Sequence, residues 1–191
     1  MAFACILALL PSKTEQIYIK MLIIAKGLVS TAKPSMVLID FEQAAKNAFL
    51  REFPGVNVKG CHFHLNQSVI RKIGSLGLKS TYEENVNDFA ILVKMLCALS
   101  ALPTDEVLHG FLELSEMFPE DDHQIEEFLA YFEYTYVRGR EKRNGRRGDA
   151  LFPIEMWNCH DSIVDGIARS TNCVEGFHFS LQSLFQCAHP S

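Results

Sequence analysis

Residues 36–53 read "MVLIDFEQAAKNAFLREF", and this stretch decides the fold class. Four apolar residues lead into Asp40, and a segment with helical spacing follows as far as Pro54. A short apolar run followed by a helix is typical of one strand–helix unit in an α/β protein. At the tip of such a strand, Asp40 is either a cap for the next helix or a functional carboxylate. This stretch alone leaves both interpretations open.

The same alternation extends on both sides of this unit. Residues 3–10 predict a buried strand, residues 12–28 a helix, residues 56–61 a third strand and residues 62–77 another helix. Continuous apolar strands that alternate with helices indicate an α/β layer with a parallel sheet. The run at residues 3–10 also has the length of a signal-peptide core, but no basic residue precedes it, which favours the strand. No stretch has the roughly 20 apolar residues that a membrane span needs.

The rest of the chain has a different pattern. Residues 80–137 predict amphipathic helices and no strand, and a last helix is predicted at residues 171–185. We therefore expect an α/β core at residues 1–79, a helical insertion with a basic loop at 80–150, and a return segment with the C-terminal helix of the core at 151–191.

Composition restricts the class of protein. Hydrophobic residues make up 48% of the 191 residues, which provides a real core, and the net charge is −5, which does not favour a general polyanion binder. Six scattered cysteines do not resemble a secreted disulfide framework. Charge is distributed unevenly, because residues 104–137 contain ten acidic residues and no Lys or Arg, and a basic loop follows.

Three further groups could carry function. The basic loop, with the residues Arg138, Arg140, Lys142, Arg143, Arg146 and Arg147, is either a phosphate-binding segment or a solvated loop. Cys61 and His64 have a spacing seen at zinc sites, although a buried thiol and a hydrogen-bonded histidine explain them equally well. Glu175 shares a helical face with Asn172, so it either points at the same crevice as Asp40 or is solvated.

In their order, several segments resemble the transposases of Mutator-like elements, a DDE family with an RNase H-like catalytic fold. These segments are "LLPSKTEQIYIKML", "VLIDFEQAAKNAF", "FPGVNVKGCHFHLNQSVIRKIGSLGL", "CALSALP", "YFEYTYVRGR", "LFPIEMWN" and "STNCVEGFH". The resemblance implies a partial RNase H-like layer of three strands with helices, interrupted by an all-helical insertion and closed by a C-terminal helix.

The resemblance also implies a site and its cofactor. Three carboxylates would hold two Mg²⁺ or Mn²⁺ ions that cleave and join DNA strands. Asp40 matches the second carboxylate and Glu175 the third, with Asn172 and His178 as supporting residues. Cys61 and His64 match the C-x-x-H pattern of the family. DNA as the partner and a nuclear location, or otherwise a cytoplasmic one, follow from the same resemblance.

One departure limits the expected activity. The first catalytic aspartate of the family lies upstream of the strand that residues 3–10 resemble, and Asp40 is the first aspartate of this sequence. We therefore expect no strand transfer, and an unpaired sheet edge open to self-association. Two alternatives are a domesticated, non-enzymatic module that binds DNA or protein, and a zinc-binding structural domain that uses Cys61, His64 and residues of the last third.

Overall fold

The computed structural model describes residues 6–31, 33–141, 143 and 145–166. They form a mixed α/β structure that is mostly helical. The α-helices are α1 (Glu15–Leu28), α2 (Gln43–Glu52), α3 (His62–Ser75), α4 (Lys79–Glu83), α5 (Phe89–Ala98), α6 (Val107–Ser115), α7 (His123–Phe132), α8 (Ile154–Trp157) and α9 (His160–Val164). Two strands, β1 (Met36–Ile39) and β2 (Asn57–Gly60), form a small parallel sheet. The described residues divide into two compact units between Val58 and Lys59.

In the first unit, α1 packs along α2. Thr14 caps α1 by accepting a hydrogen bond from the Ile17 amide, as a threonine at this position is expected to do. Ala45 and Ala48 are buried on α2, and their small side chains let the two helices approach closely. Polar contacts along the pair include the Lys26–Glu52 ion pair at 3.1 Å.

In the second unit, the predicted helices surround an aromatic core. Phe89, Phe128, Phe132 and Trp157 are almost fully buried, and their rings contact one another or neighbouring rings at centroid distances of about 6 Å. The indole Nε1–H of Trp157 donates to the Tyr136 carbonyl at 2.7 Å, which satisfies the one polar group of that side chain.

A π-helical segment, Glu133–Val137, extends α7. Its wider turn is closed by the Arg138 amide, which donates to the Glu133 carbonyl at 2.9 Å. The Tyr134 and Thr135 carbonyls accept hydrogen bonds from the amides of residues 151 and 152 instead of from the helix. The chain that follows the basic loop is therefore fixed against the π-helical segment.

Part of the predicted α/β layer is not present in the described residues. The strand predicted at residues 3–10 is wrong for residues 6–10, which pair with no strand and are largely exposed, Leu9 by 80%. This apolar run lies instead beside α1, where it lines an apolar groove with Met21 and Ile24. The described sheet has two strands rather than three, so an RNase H-like layer stays a prediction. No helix among the described residues is both long and apolar enough to cross a bilayer.

Candidate functional site

Asp40 is exposed and directly follows β1, at the carboxyl end of the strand. The N-cap position of α2 belongs to Glu42, whose backbone is extended and whose amide donates to the Asp40 carbonyl at 2.7 Å. Glu42 makes no side-chain capping bond. Asp40 therefore lies two residues ahead of the N-cap position, so the interpretation of Asp40 as the helix cap is wrong. Its carboxylate is presented to solvent at the strand tip.

Two residues of the first unit make polar contacts with the neighbouring carboxylate of Glu42. The Tyr18 hydroxyl donates to Glu42 Oε2 at 2.8 Å, and Lys13 Nζ lies 3.9 Å from the same oxygen. Burial, the hydrogen bond to Glu42 and the negative charges of Glu42 and Asp40 together raise the pKa of Tyr18 far above its usual value of 10.0. The Tyr18 phenol thus stays protonated and can donate its hydrogen bond to Glu42.

Sequence reasoning found Asp40 and missed both Tyr18 and Glu42. The sequence could have indicated Glu42, since "IDFE" places a second carboxylate two residues after the first. No sequence pattern indicates Tyr18, because only the packing of α1 against α2 brings its hydroxyl to Glu42.

The carboxylates of Asp40 and Glu42 are ligands that suit a hard divalent cation. Mg²⁺ is commonly held by one or two carboxylates, with water or substrate phosphates completing its coordination. Asp40 and Glu42 are oxygen donors of that kind. Within the described residues, however, no group of three His, Cys, Asp or Glu side chains is close enough to hold a metal ion. The set of three carboxylates that the resemblance implies would therefore include a carboxylate from outside the described part of the chain.

Cys61 and His64 lie at the beginning of α3. Cys61 is fully buried at the N-cap position, and its carbonyl accepts the Leu65 amide at 3.1 Å. The His64 ring packs edge-on against Phe63 at 5.5 Å between centroids. Neither residue belongs to a three-ligand cluster with Cys159 or His160 in the part of the chain that the structure describes. The burial of Cys61 fits the interpretation of a buried thiol, and the role of His64 stays a prediction.

The basic loop is anchored by Glu133 of the π-helical segment. Glu133 accepts the Arg138 Nε–H at 2.6 Å through Oε1, and its Oε2 lies 3.0 Å from an Arg147 guanidinium nitrogen. Amide–carbonyl bonds between Gly139, Arg140 and Gly148 close the base of the loop. Two of the six predicted DNA-binding residues, Arg138 and Arg147, thus hold the loop in place.

Arg140 is exposed and contacts an aromatic ring. The Arg140 guanidinium carbon lies 4.6 Å from the centre of the Tyr134 ring, a cation–π contact. Arg143 and Arg146 are exposed. The sequence gives no reason to distinguish the six basic residues, whereas the structure gives Arg138 and Arg147 an anchoring role.

Several predicted site residues lie outside the described residues. They are Lys142, Asn172, Glu175 and His178. Their predicted roles stay predictions.

The comparison with protein families agrees with the resemblance in the first part of the chain. Residues 1–68 match the family described as MULE transposase domain, and the match includes α1, β1, Asp40, α2, β2 and Cys61–His64. This part of the chain is a region related to Mutator-like transposases. The match spans 68 of the 191 residues. No curated protein and no solved structure gives a significant match.

Proposed function

We propose that the chain derives from the catalytic region of a metal-dependent DNA transposase and that Asp40 is one of its metal ligands. The observation that carries this proposal is the position of Asp40, an exposed carboxylate at the carboxyl end of β1 inside the transposase-related region. Parallel strands of α/β proteins commonly present functional groups at that end.

Bound Mg²⁺ or Mn²⁺ would activate a nucleophile and stabilise the leaving oxygen of a DNA strand. Asp40 and Glu175 would hold the ion, and Glu42 lies close enough to Asp40 along the chain to add a carboxylate. Tyr18 restrains Glu42 through the 2.8 Å hydrogen bond. Catalysis of this kind depends on the full ligand set for positioning and charge.

A cation-binding experiment tests this proposal. Mn²⁺ titration by calorimetry compares the wild-type chain with Asp40→Asn and Glu175→Gln. Asp105→Asn is the matched control, because Asp105 is exposed and lies in the other compact unit. We expect weakened binding in both site variants and unchanged binding in the control. Binding that is indifferent to Asp40→Asn would overturn the proposal.

A second function is favoured by the basic loop. We propose that Arg140, Arg143 and Arg146, with Lys142 beside them in sequence, contact DNA phosphates, which gives a binding module whether or not the metal site works. The anchoring of the loop by Glu133 supports this proposal, because a preorganised loop loses less entropy when it binds.

DNA as the partner implies a nuclear location, which a fluorescent fusion of the chain in cells would test.

A further inference from the structure

An open cleft of about 500 Å³ lies in the second unit, between α3, α7, the π-helical segment and the basic loop. We refer to it as the tyrosine cleft. Its lining combines two aromatic rings with both signs of charge, and the main contributors are Lys72, Glu127, Tyr131, Tyr134, Arg140 and Arg147. The metal-site proposal uses none of these side chains, and the proposal for the basic loop shares only Arg140 and the anchoring Arg147 with them.

Two of the three acidic residues that line the cleft, Glu127 and Glu133, have cationic partners. Lys72 Nζ lies 2.8 Å from Glu127 Oε1, and Glu133 is shared by Arg138 and Arg147. These pairs neutralise Glu127 and Glu133 and therefore reduce the repulsion that an incoming anion would meet. Glu141, the third acidic residue of the lining, is exposed.

Arg140 has a different environment. Among the described residues its close contact is the Tyr134 ring rather than a carboxylate. A guanidinium that stacks through its face keeps its N–H edge available, and that edge matches the geometry of a phosphate. Tyr134 thus restrains Arg140 without neutralising its charge.

The two tyrosines provide flat surfaces beside this cation. Tyr131 and Tyr134 are half-buried, and their rings meet nearly edge to face, with centroids 6.3 Å apart. Lys72 Nζ lies 5.4 Å from the centre of the Tyr131 ring. Aromatic rings interleaved with cations along a groove are the arrangement by which proteins bind single-stranded nucleic acid, because bases stack on the rings and phosphates pair with the cations.

We propose that the tyrosine cleft binds a single-stranded segment of DNA, with a base on Tyr131 or Tyr134 and a phosphate on Arg140. This inference rests on the proposed contact of the basic loop with DNA. A paired base within a duplex cannot stack on a protein ring without leaving the helix. The cleft should therefore prefer unpaired DNA.

Fluorescence polarisation with the full chain tests this preference. The probes are a fluorescein-labelled oligothymidylate and a labelled duplex of equal length. We expect the single strand to bind more tightly, and we expect Tyr134→Leu to lower its affinity by roughly tenfold or more. Tyr134→Phe keeps the ring and should retain binding. Arg140→Gln should weaken binding, whereas Arg71→Gln, at an exposed position of α3, should not.

Circular dichroism establishes that each variant is folded, and Arg140→Gln at an exposed position keeps the test valid if Tyr134→Leu is not folded. A preference for duplex, or single-strand binding that neither Tyr134→Leu nor Arg140→Gln weakens, would overturn the inference. If Mn²⁺ binding still depends on Asp40 in that case, only the cleft proposal fails and the metal-ligand proposal stands.

Discussion

At the scale of single residues, the hydrogen bond from Tyr18 restrains Glu42, the second carboxylate of the candidate site. It joins α1 to the beginning of α2 across 24 positions of sequence, and it is partly buried. A hydrogen bond from a phenol to a carboxylate is charge-assisted, and such a bond is stronger than one between neutral groups. Glu42 therefore has a restricted position beside Asp40, whereas Asp40 is open to solvent.

Replacement of Tyr18 by Phe removes this bond and leaves the ring. We expect the free energy of unfolding to fall by about 1 kcal/mol, because one partly buried hydrogen bond is lost and Glu42 loses a donor. Denaturant titration measures the change. Tyr82→Phe is the control, since Tyr82 is similarly half-buried and lies on α4 in the second unit. Equal losses in the two variants would contradict this account.

The raised pKa of Tyr18 gives a pH dependence with a definite sign. Because the folded-state pKa lies above the unfolded value of 10.0, the folded protein binds more protons than the unfolded chain once the pH exceeds about 10. The stabilisation is thus complete below that pH and is lost as the pH rises further. We expect the melting temperature of the wild type to fall more steeply above pH 10 than that of Tyr18→Phe. Parallel curves would contradict the assigned environment of Tyr18.

At the scale of elements, two glycines have opposite surroundings. Gly139 is buried at the base of the basic loop, where an added Cβ would overlap the backbone of Gly148 and Asp149. Gly27 lies in the last turn of α1, and an added Cβ there meets no atom within 4 Å. The close backbone approach at Gly139 is what allows the loop to return to the π-helical segment.

Alanine at these two positions should change stability in opposite directions. Gly27→Ala should raise the free energy of unfolding by about 0.5–1 kcal/mol, since alanine favours the helix. Gly139→Ala should lower it by about 1–3 kcal/mol, because the backbone must shift to admit the methyl group. Denaturant titration of both variants measures these changes. A neutral Gly139→Ala would show that the loop base is not tightly closed.

Elements with strong local signals could be predicted from sequence. α2 was expected at about residues 42–53 and is observed at Gln43–Glu52, and β1 is observed where its apolar run predicted it. Helical spacing and breakers such as Pro54 act locally and are readable without tertiary contacts. The strand predicted at residues 3–10 failed at residues 6–10, because a strand needs a hydrogen-bonded neighbour, and the sequence does not supply one within the described residues.

The site was only partly predictable for the same reason. Asp40 could be found because it ends an apolar strand. The two roles within the basic loop could not be separated, because they depend on Glu133, which belongs to a π-helical segment that sequence spacing did not indicate. The tyrosine cleft likewise requires α3 and α7 to be side by side.

At the scale of the whole molecule, the net charge of −5 makes general attraction to DNA weak, so affinity should depend on the basic loop. The ten acidic residues before this loop lie on the helices of the second unit and in the turns between them. Among them, Glu133 pairs with cations of the loop and Glu127 pairs with Lys72 of α3. Some of the charges in this part of the chain therefore form ion pairs within the second unit. Only the basic residues without an anchoring role should contribute to salt-dependent binding.

Salt dependence separates these two classes of arginine. Arg143→Gln should reduce the slope of log affinity for single-stranded DNA against log salt by about 0.7, the value of one lost phosphate contact. Arg138→Gln should instead lower thermal stability, because Glu133 loses one of its two cationic partners. Polarisation at several salt concentrations and thermal melting measure the two effects, and Arg71→Gln serves as the control for both. A slope that Arg143→Gln leaves unchanged would remove Arg143 from the DNA contact.

The most direct test of the central claim is terbium luminescence excited through tyrosine, because Tb³⁺ is a hard cation and Tyr18 lies beside the proposed ligands. We expect sensitised emission in the wild type, and we expect Mg²⁺ to compete with it. Asp40→Asn should lose the emission because it loses the bound ion. Tyr18→Phe should lose the sensitised emission but retain ion binding by calorimetry. The control variant Asp105→Asn should match the wild type. Emission that persists unchanged in Asp40→Asn would contradict the claim that Asp40 is a metal ligand.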